Sequence, residues 1–378
     1  MKKIIALILM AAMVLALAAC GGSSAPAATQ APAAEPAATE APAAEEPAEE
    51  PAEEPAEEPA EEPAAEPAAE GEYFLGMGIV LNMDSSAAGN AQVDATVATV
   101  VTDADGKIVA ARIDCVQDKM DVTDGLVDTE KVFETKAELL DRYNMVAYSN
   151  ATLEWYEQAQ NFEDYVVGKT ADEVKGTETT VNEEGHTVAV DETLYASVSI
   201  SIEDFIDAIV KACNDEQGQT FTADGAFTLG LAAISTADES TEATEDEEGV
   251  VKMYSAYGAA VVDADGVIIA ALNDATQPNI TIDIDGEIVD TAFRGTKREL
   301  KEDYNMVAYS NAVYEWYEQS KSFSEWAVGK TAAELRGTET TTNEEGYQVA
   351  VDEELFASVT ISIEDMVEVV ARDAEYAR

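Results

Sequence analysis

The chain has 378 residues, of which 77 are acidic and 21 are Lys or Arg, so its formal net charge is −56. This surplus of carboxylates excludes an ordinary nucleic-acid-binding protein, because contact with phosphates needs a basic stripe. It also disfavours binding to anionic lipid headgroups. With a single histidine in the chain, a His-rich metal site and a pair of Ser-His-Asp sites are excluded too.

The first segment predicts export and lipid anchoring. Residues 1–19 place two lysines before an apolar run, and small residues lead to Cys20, which is the layout of a secretory signal peptide. The last four residues, LAAC, resemble a bacterial lipobox, which implies cleavage before Cys20 and lipidation of its sulfur. An ordinary signal peptide that ends in cysteine is the alternative. A lipid anchor would hold the protein on the outer face of the cytoplasmic membrane, reaching into or through the cell wall.

Residues 20–72 predict a disordered stalk rather than a folded domain. They are mainly Ala, Pro and Glu, with the string EEPA repeated, and they contain no aromatic residue. Such a segment cannot bury enough apolar surface to offset its ordering entropy. Its prolines favour an extended backbone and its glutamates repel one another. We expect it to lift the folded part away from the membrane.

The remaining residues predict two copies of one domain, at residues 73–220 and 221–378. The string TKAELLDRYNMVAYSNATLEWYEQ starts at Thr135, and TKRELKEDYNMVAYSNAVYEWYEQ starts at Thr296. The match continues without a gap through Cys213 and Ala374, and more than half of the positions are identical. Self-similarity over this length is typical of a tandem duplication.

Within one copy the pattern predicts strands, then helices, then strands. The run ATVATVVTDADGKIVAARI surrounds an Asp-Gly dipeptide, which predicts a β-hairpin. Ser149 or Asn150 is expected to cap the next helix. In TADEVKG, Thr170 and Glu173 predict a capping box, and Gly176 predicts the helix end. NEEG is expected to form a turn between two short strands. The fold class is therefore α+β.

Three other motifs have structural explanations. The string VGKT occurs in both copies but lacks the first glycine of a phosphate-binding loop, since Glu163 stands there in copy one. The strings that start at Asp103, Asp263 and Asp283 fit hairpin turns, with a weak surface calcium site as the alternative. His186 has a tyrosine as its counterpart in copy two and is expected on the surface.

Two residue types leave alternatives open. Cys115 and Cys213 both fall in copy one, so an oxidising location permits a disulfide, and two unpaired, partly buried thiols are the other interpretation. Trp155 and Trp316 belong to an aromatic group that recurs in both copies. Such a group packs in a core, or it forms a wall against which a planar ligand stacks.

The run ASVSISIEDF at Ala196 recurs as ASVTISIEDM at Ala357. In structural terms it predicts a strand followed by a helix with Ser201 as its N-cap. A run of hydroxyl residues can also be a chemical attachment point. In the first interpretation the hydroxyl groups are structural, and in the second one of them forms a covalent bond.

Together these features resemble bacterial surface lipoproteins with tandem FMN-binding-type domains, including the flavoproteins of extracellular electron transfer in Gram-positive bacteria. The similar parts are the lipobox, the stalk and, in each copy, TKxEL…YNM, EWYEQ, VGKT and the hydroxyl run. In that family a Ser or Thr hydroxyl can be joined to the FMN phosphate within [ST]-Gly-Ala-[ST]-x-[ST]. The last four positions of this motif match both copies, and Leu and an aromatic residue replace the first two.

The resemblance implies a set of site residues and partners. The cofactor-binding residues would be Ser197, Ser199, Ser358, Thr360, Trp155 and Trp316. The protein would carry FMN, covalently or noncovalently, for extracellular electron transfer rather than act as a turnover enzyme. A flavin transferase and a membrane quinone oxidoreductase would be its partners. The alternative is a cell-envelope binding or structural module that keeps the fold without a cofactor.

Overall fold

The computed structural model describes residues 71–310, 312–344 and 346–378, and these belong to one compact unit. The predicted signal peptide, the lipidated Cys20 and the stalk up to residue 70 lie outside the described residues. Gly71 and Glu72 already belong to the first strand, so the folded part starts two residues earlier than expected. No helix in the described part of the chain is long and apolar enough to cross a membrane.

Repeat 1 is built on an antiparallel sheet of four strands with the order β3-β2-β1-β6. A separate two-stranded hairpin is formed by β4 and β5. The strands are β1 Gly71–Asn82, β2 Asn90–Thr102, β3 Ile108–Asp121, β4 Thr179–Val181, β5 Thr187–Ala189 and β6 Gln219–Ala223. The predicted boundary between residues 220 and 221 falls inside β6, which pairs with β1 and extends the first sheet.

Six α-helices follow β3 in repeat 1. The two long ones, α3 and α6, pack on the sheet and build a core with it. The helices are α1 Lys136–Leu139, α2 Met145–Tyr148, α3 Trp155–Val166, α4 Ala171–Lys175, α5 Glu192–Ser197 and α6 Glu203–Cys213.

Repeat 2 has the same plan with an interrupted hairpin. The long strands β2 and β3 each correspond to two shorter strands, β8 with β9 and β10 with β11. Pro278 stands between β10 and β11 at the position of Asp118, and proline cannot donate to a strand ladder. The strands are β7 Phe227–Thr236, β8 Gly249–Lys252, β9 Tyr254–Asp263, β10 Ile268–Thr276, β11 Asn279–Ile282, β12 Ile288–Ala292, β13 Thr340–Thr342 and β14 Gln348–Ala350.

The helices of repeat 2 match those of repeat 1 one for one. The long helices α9 and α12 cover the sheet of β7, β9 and β10. The helices are α7 Lys297–Leu300, α8 Met306–Tyr309, α9 Trp316–Ala327, α10 Ala332–Arg336, α11 Glu353–Phe356 and α12 Glu364–Tyr376.

The sheets of the two repeats pack against each other. Along β2, Ala98 and Val100 face the helices, whereas Val97 and Val101 face repeat 2, as the two-residue period of a strand requires. Because both faces are covered, β2 is apolar along most of its length. The layers are helices, sheet, sheet and helices, which confirms the predicted α+β class and joins the two repeats through a shared core.

Polar contacts also join the repeats. Arg298 forms an ion pair with Asp215 at 3.0 Å, and their side chains are only 7% and 10% exposed. Arg378 forms an ion pair with the buried Glu163 at 2.9 Å. Removing one partner of the nearly buried pair of Arg298 and Asp215 would leave a charge without its counter-ion, so this contact helps to fix the orientation of the repeats.

Glycines let each C-terminal helix lie directly on its sheet. A Cβ atom added at Gly76 would lie 2.0 Å from the carbonyl oxygen of Ala212, and one at Gly230 would lie 1.9 Å from that of Asp373. Ala212 and Asp373 occupy equivalent positions of α6 and α12. The two glycines are therefore required by the same close helix-sheet approach in both copies.

Most local predictions are confirmed. The Asp-Gly hairpin joins β2 and β3, and NEEG turns between β4 and β5. Thr170 and Glu173 form the predicted capping box, as do Thr331 and Glu334. Both described cysteines are free thiols.

In the described residues no group of three or more His, Cys, Asp or Glu side chains is arranged to hold a metal ion.

The aspartates that begin the three Asp-x-Asp-Gly turns accept backbone hydrogen bonds. The Oδ1 atoms of Asp103, Asp263 and Asp283 each accept from the amides two and four residues later. This pattern is that of an Asx turn, which explains the motif without a bound cation.

One predicted helix cap is wrong. Helix α3 begins at Trp155 with Glu154 as its N-cap, and not after Ser149 or Asn150. Ser149 is instead the C-cap of α2, where its hydroxyl donates to the carbonyl oxygen of Met145 at 2.8 Å. Glu154 takes the cap position because its carboxylate also accepts from the Met145 amide at 2.7 Å. It thereby links the start of α2 to the start of α3.

Candidate functional site

A cavity of about 530 Å³ opens on the surface of repeat 1. It lies between strands β2 and β3, the start of α3, the hairpin of β4 and β5, and the loop that joins α5 to α6. Two predicted site residues, Trp155 and Ser199, line it together. Its volume falls within the range of small-molecule and cofactor sites.

Lys136 lines the cavity and is the only Lys or Arg among its lining residues. The capping box of Thr135 and Glu138 fixes the first turn of α1, which places Lys136 next to two aromatic rings. Its Nζ atom is 5.2 Å from the ring centre of Tyr143 and 5.5 Å from that of Trp155. Such contacts stabilise a cation that is partly removed from water.

The ammonium group of Lys136 stays charged. Burial lowers the pKa of Lys136, but neighbouring groups that include Tyr143 and the carboxylate of Asp94 raise it, and the net shift is upward. Burial also raises the pKa of the Cys115 thiol, which is therefore protonated near neutral pH and a poor nucleophile. The site thus offers a fixed positive charge and no activated nucleophile at this position.

Asp94 is held in place by two glutamines. Its Oδ2 atom accepts from Gln92 Nε2 at 2.7 Å, and its Oδ1 atom accepts from Gln117 Nε2 at 2.9 Å. The hydroxyl of Tyr143 donates to Gln117 Oε1 at 3.4 Å. This network presents a carboxylate acceptor to the cavity in a defined orientation.

Carboxylates outnumber cations around the cavity. Asp94, Glu184 and Asp204 line it, against Lys136 alone. Burial raises the pKa of Asp204, and the neighbouring Glu203 and Asp207 raise it further. The surroundings therefore favour a neutral, hydrogen-bonding ligand, or one whose negative charge lies against Lys136.

The hydroxyl run has a different structure from the one predicted. Residues 192–197 form α5, and the next five residues form a loop rather than a strand. Gln158 organises this loop, because its Oε1 atom accepts from the amides of Ser199 at 2.8 Å and Ile200 at 3.3 Å. The hydroxyl of Ser199 lies 3.2 Å from the same oxygen. These backbone amides are therefore bonded to a side chain of α3, and not to a neighbouring strand as the sequence predicted.

The predicted N-cap of α6 is also wrong. The helix begins at Glu203 with Ile202 as its N-cap, and no side chain caps it. Ser201 instead lines the cavity. Ser197 ends α5, its hydroxyl donates to the carbonyl oxygen of Leu194 at 3.2 Å, and it is not among the cavity-lining residues.

Tyr195 stands where the resembled motif has glycine, and its place in the fold is informative. It belongs to α5, its side chain is 42% exposed, and it lines the cavity beside Phe205 and Trp155. Trp155 itself is 3% exposed and contacts Phe205 edge to face, with 5.7 Å between ring centres. Tyr195 therefore offers more free aromatic surface to a ligand than Trp155 does.

Repeat 2 places its predicted residues in the same way. The amide of Thr360 donates to Gln319 Oε1 at 2.8 Å, and the hydroxyl of Ser358 donates to the carbonyl oxygen of Leu355 at 3.3 Å. Trp316 begins α9 and is 4% exposed. The backbone frame of the site is thus present in both copies.

The side chains above Lys297, the counterpart of Lys136, differ. Its Nζ atom is 4.8 Å from the ring centre of Tyr254, 5.1 Å from that of Tyr304 and 5.4 Å from that of Trp316. Burial lowers the pKa of Lys297 to about 8, against the opposite effect of nearby carboxylates that include Asp274. Three rings surround this lysine, where two surround Lys136.

Sequence reasoning missed most of the cavity. It singled out Trp155 and Ser199, and Tyr195 only as the residue in place of the motif glycine, but not Lys136 or Asp94. Lys136 did carry a signal, because a Thr-Lys pair is shared by both copies directly at a helix start. Asp94 carried none, since its counterpart in repeat 2 is Tyr254.

No protein-family model matches this sequence, and no match was found among curated proteins or solved structures.

Proposed function

We propose that this protein is a lipid-anchored extracytoplasmic carrier of flavin, with FMN bound in the cavity of repeat 1 for electron transfer at the cell surface. The observation that carries the proposal is the convergence of Ser199 and Trp155, named by the family resemblance, on one cavity with the partly buried cation Lys136. The signal peptide, Cys20 and the stalk supply the proposed location.

The lining residues fit a flavin in size and in chemistry. The cavity volume of about 530 Å³ suits a ligand of this size. Tyr195, Phe205 and Trp155 provide aromatic surface for a planar ring system. Asparagine, serine and glutamine side chains around the opening suit a hydroxyl-rich chain.

Each group has a role that its chemistry defines. When bound, FMN supplies the redox chemistry, and the protein supplies position and electrostatics. Lys136 provides a fixed positive charge, which favours negative charge on the ligand. Asp94, held by its two glutamines, accepts a hydrogen bond from a ligand N–H or O–H group.

Noncovalent binding is the form that the geometry favours. Ser197 directs its hydroxyl to its own helix, and Tyr195 takes the place of the motif glycine. Ser199 is the hydroxyl at the cavity and is the one that we assign to any covalent attachment.

A second candidate function is a cell-envelope module that binds a neutral, hydroxyl-rich molecule. The excess of Asp94, Glu184 and Asp204 over Lys136 favours it, because a phosphate group is repelled by this surplus. Riboflavin and FMN separate the two candidates in part, since they share the ring system and differ in the phosphate.

The test is a titration of the full chain with FMN and with riboflavin, followed by tryptophan fluorescence. We expect quenching that is lost in Trp155→Phe and kept in Trp316→Phe. The protein is also produced together with a flavin transferase, and its intact mass and absorption spectrum are recorded. Quenching without a mass increase supports noncovalent binding, and an increase that disappears in Ser199→Ala supports attachment there. Neither quenching nor flavin absorption in any arm rejects the flavin proposal.

A further inference from the structure

We infer that the chain binds one ligand, in repeat 1, because the side chain of Tyr254 occupies the corresponding site of repeat 2. The identity of the ligand rests on the proposed function, whereas the closure of the second site rests on the geometry of repeat 2 alone. This assignment departs from the sequence-based expectation, which placed cofactor-binding residues in both copies.

The strand register establishes which positions correspond. In repeat 1, Thr96 pairs with Cys115 across β2 and β3. In repeat 2, Ala256 pairs with Ala275 across β9 and β10, at the same place relative to the hairpin turn. Two residues before Ala256 stands Tyr254, which is therefore the counterpart of Asp94.

The Tyr254 ring lies on the lysine that a ligand would meet. Its centre is 4.8 Å from Lys297 Nζ, closer than either of the other two rings around that atom. Lys297 is 8% exposed, whereas Lys136 is more exposed and lines an open cavity. The third ring thus covers the face of the lysine that is open in repeat 1.

Neighbouring substitutions make room for this ring. Thr96 and Cys115 line the open cavity, and alanine replaces both of them in repeat 2. One position gained an aromatic ring, and two adjacent positions lost side-chain atoms. Since cores are close-packed, such a compensated exchange indicates a filled site rather than a narrowed one.

One of the two glutamines that orient Asp94 in repeat 1 has also changed, whereas Gln117 keeps a glutamine counterpart, Gln277. Lys252 replaces Gln92, and its Nζ atom pairs with Glu239 at 3.6 Å. Glu239, Asp274 and Asp365 each favour the charged form of Lys297. Carboxylates of the protein itself thus supply counter-charge to this lysine, although burial still lowers its pKa to about 8 overall.

The decisive experiment exchanges the three lining residues between the repeats of the full chain. In the closing variant, Asp94→Tyr, Thr96→Ala and Cys115→Ala are made in repeat 1. In the opening variant, Tyr254→Asp, Ala256→Thr and Ala275→Cys are made in repeat 2. With FMN and riboflavin as probes, we expect one ligand per unaltered chain, none for the closing variant and two for the opening variant. Two ligands per unaltered chain would overturn the inference.

A second measurement does not depend on flavin. Lysines are reductively methylated with formaldehyde, and modification of Lys297 is followed by mass spectrometry in the unaltered protein and in Tyr254→Ala. Because burial protects a side chain until it opens locally, we expect Lys297 to react roughly tenfold faster or more in the variant. Equal rates would show that Tyr254 does not close the site. An unaltered chain without bound flavin would reject the proposed function, and this measurement would still decide the inference.

Discussion

The sites of the two repeats share one backbone frame and differ in what stands above the lysine. Gln158 and Gln319 hold equivalent loops, with amide-to-oxygen distances of 2.8 Å in both copies. Above Lys136 there is an open cavity beside Asp94, and above Lys297 there is the ring of Tyr254. The two repeats thus keep the same scaffold, and a few lining residues determine whether a cavity is present.

The largest expected effect tests whether the repeats form one cooperative unit. Phe162 and Phe323 are equivalent core residues, and each is completely buried. We expect Phe162→Ala and Phe323→Ala each to lower the free energy of unfolding by about 3–5 kcal/mol. Because the sheets share a core, each variant should still unfold in one transition of the whole folded region. Two separate transitions in denaturant would contradict the shared core.

The lysines sharpen the comparison of the sites directly. Lys136→Met removes the cation of the open cavity, so we expect FMN affinity to fall about 10- to 100-fold, the usual range for a lost charged hydrogen bond. Lys297→Met is the matched control and should leave FMN affinity unchanged. Fluorescence titration of both variants measures the effect. A similar loss in both would mean that repeat 2 contributes to binding.

Buried acids make stability depend on pH. Burial raises the pKa of Asp118 to about 7, and that of Asp114 and Asp274 to about 6. Between their ordinary values, near 4, and these raised values, the native state binds more protons than the unfolded chain. The free energy of unfolding should therefore rise as the pH is lowered from about 7.5 to about 4.5.

Asp118 allows a control, because its counterpart in repeat 2 is Pro278 and this buried acid exists in one copy only. Its Oδ2 atom has no hydrogen-bond partner in the described part of the chain. Asp118→Asn should raise the free energy of unfolding at pH 7.5 by roughly 1–3 kcal/mol, because it removes a buried charge. The free energy of unfolding should then depend less on pH near pH 7. Urea denaturation at a series of pH values measures it, and an unchanged slope would count against a raised pKa.

The smallest expected effect concerns a feature that the repeats share. Thr170 and Thr331 are N-caps of equivalent short helices, and both form capping boxes. Thr170→Ala and Thr331→Ala should each lower the free energy of unfolding by about 1 kcal/mol. Thermal unfolding gives the values side by side. A difference of more than about 1 kcal/mol between them would show that the scaffolds are less alike than their geometry indicates.

Local signals in the sequence were sufficient for much of the scaffold. The Asp-Gly hairpin, the NEEG turn and the Thr-x-x-Glu boxes depend on neighbours in the chain, and the structure confirms them. The packing of one sheet on the other involves Val97 and Val101, whose partners come from the second copy. Apolar residues on both faces of β2 were visible, but nothing in the pattern identified what covers each face.

The site was harder to predict because its contacts join distant segments. The loop of Ser199 was expected to be a strand, since hydroxyl and β-branched residues favour one, and Gln158 provides hydrogen bonds that no local pattern reveals. Asp94 and Lys136 meet only through the fold. Comparing the copies residue by residue drew attention to what is repeated, whereas the cavity depends on the exchange of Asp94 for Tyr254.

The proposed flavin content is tested most directly on the protein isolated from cells that produce it naturally. The absorption spectrum and the protein concentration give the number of flavins per chain. We expect one flavin per chain, held in repeat 1, with the flavin content reduced by Lys136→Met but not by Lys297→Met. Protein that is fully folded and contains no flavin, or two flavins, would contradict this expectation.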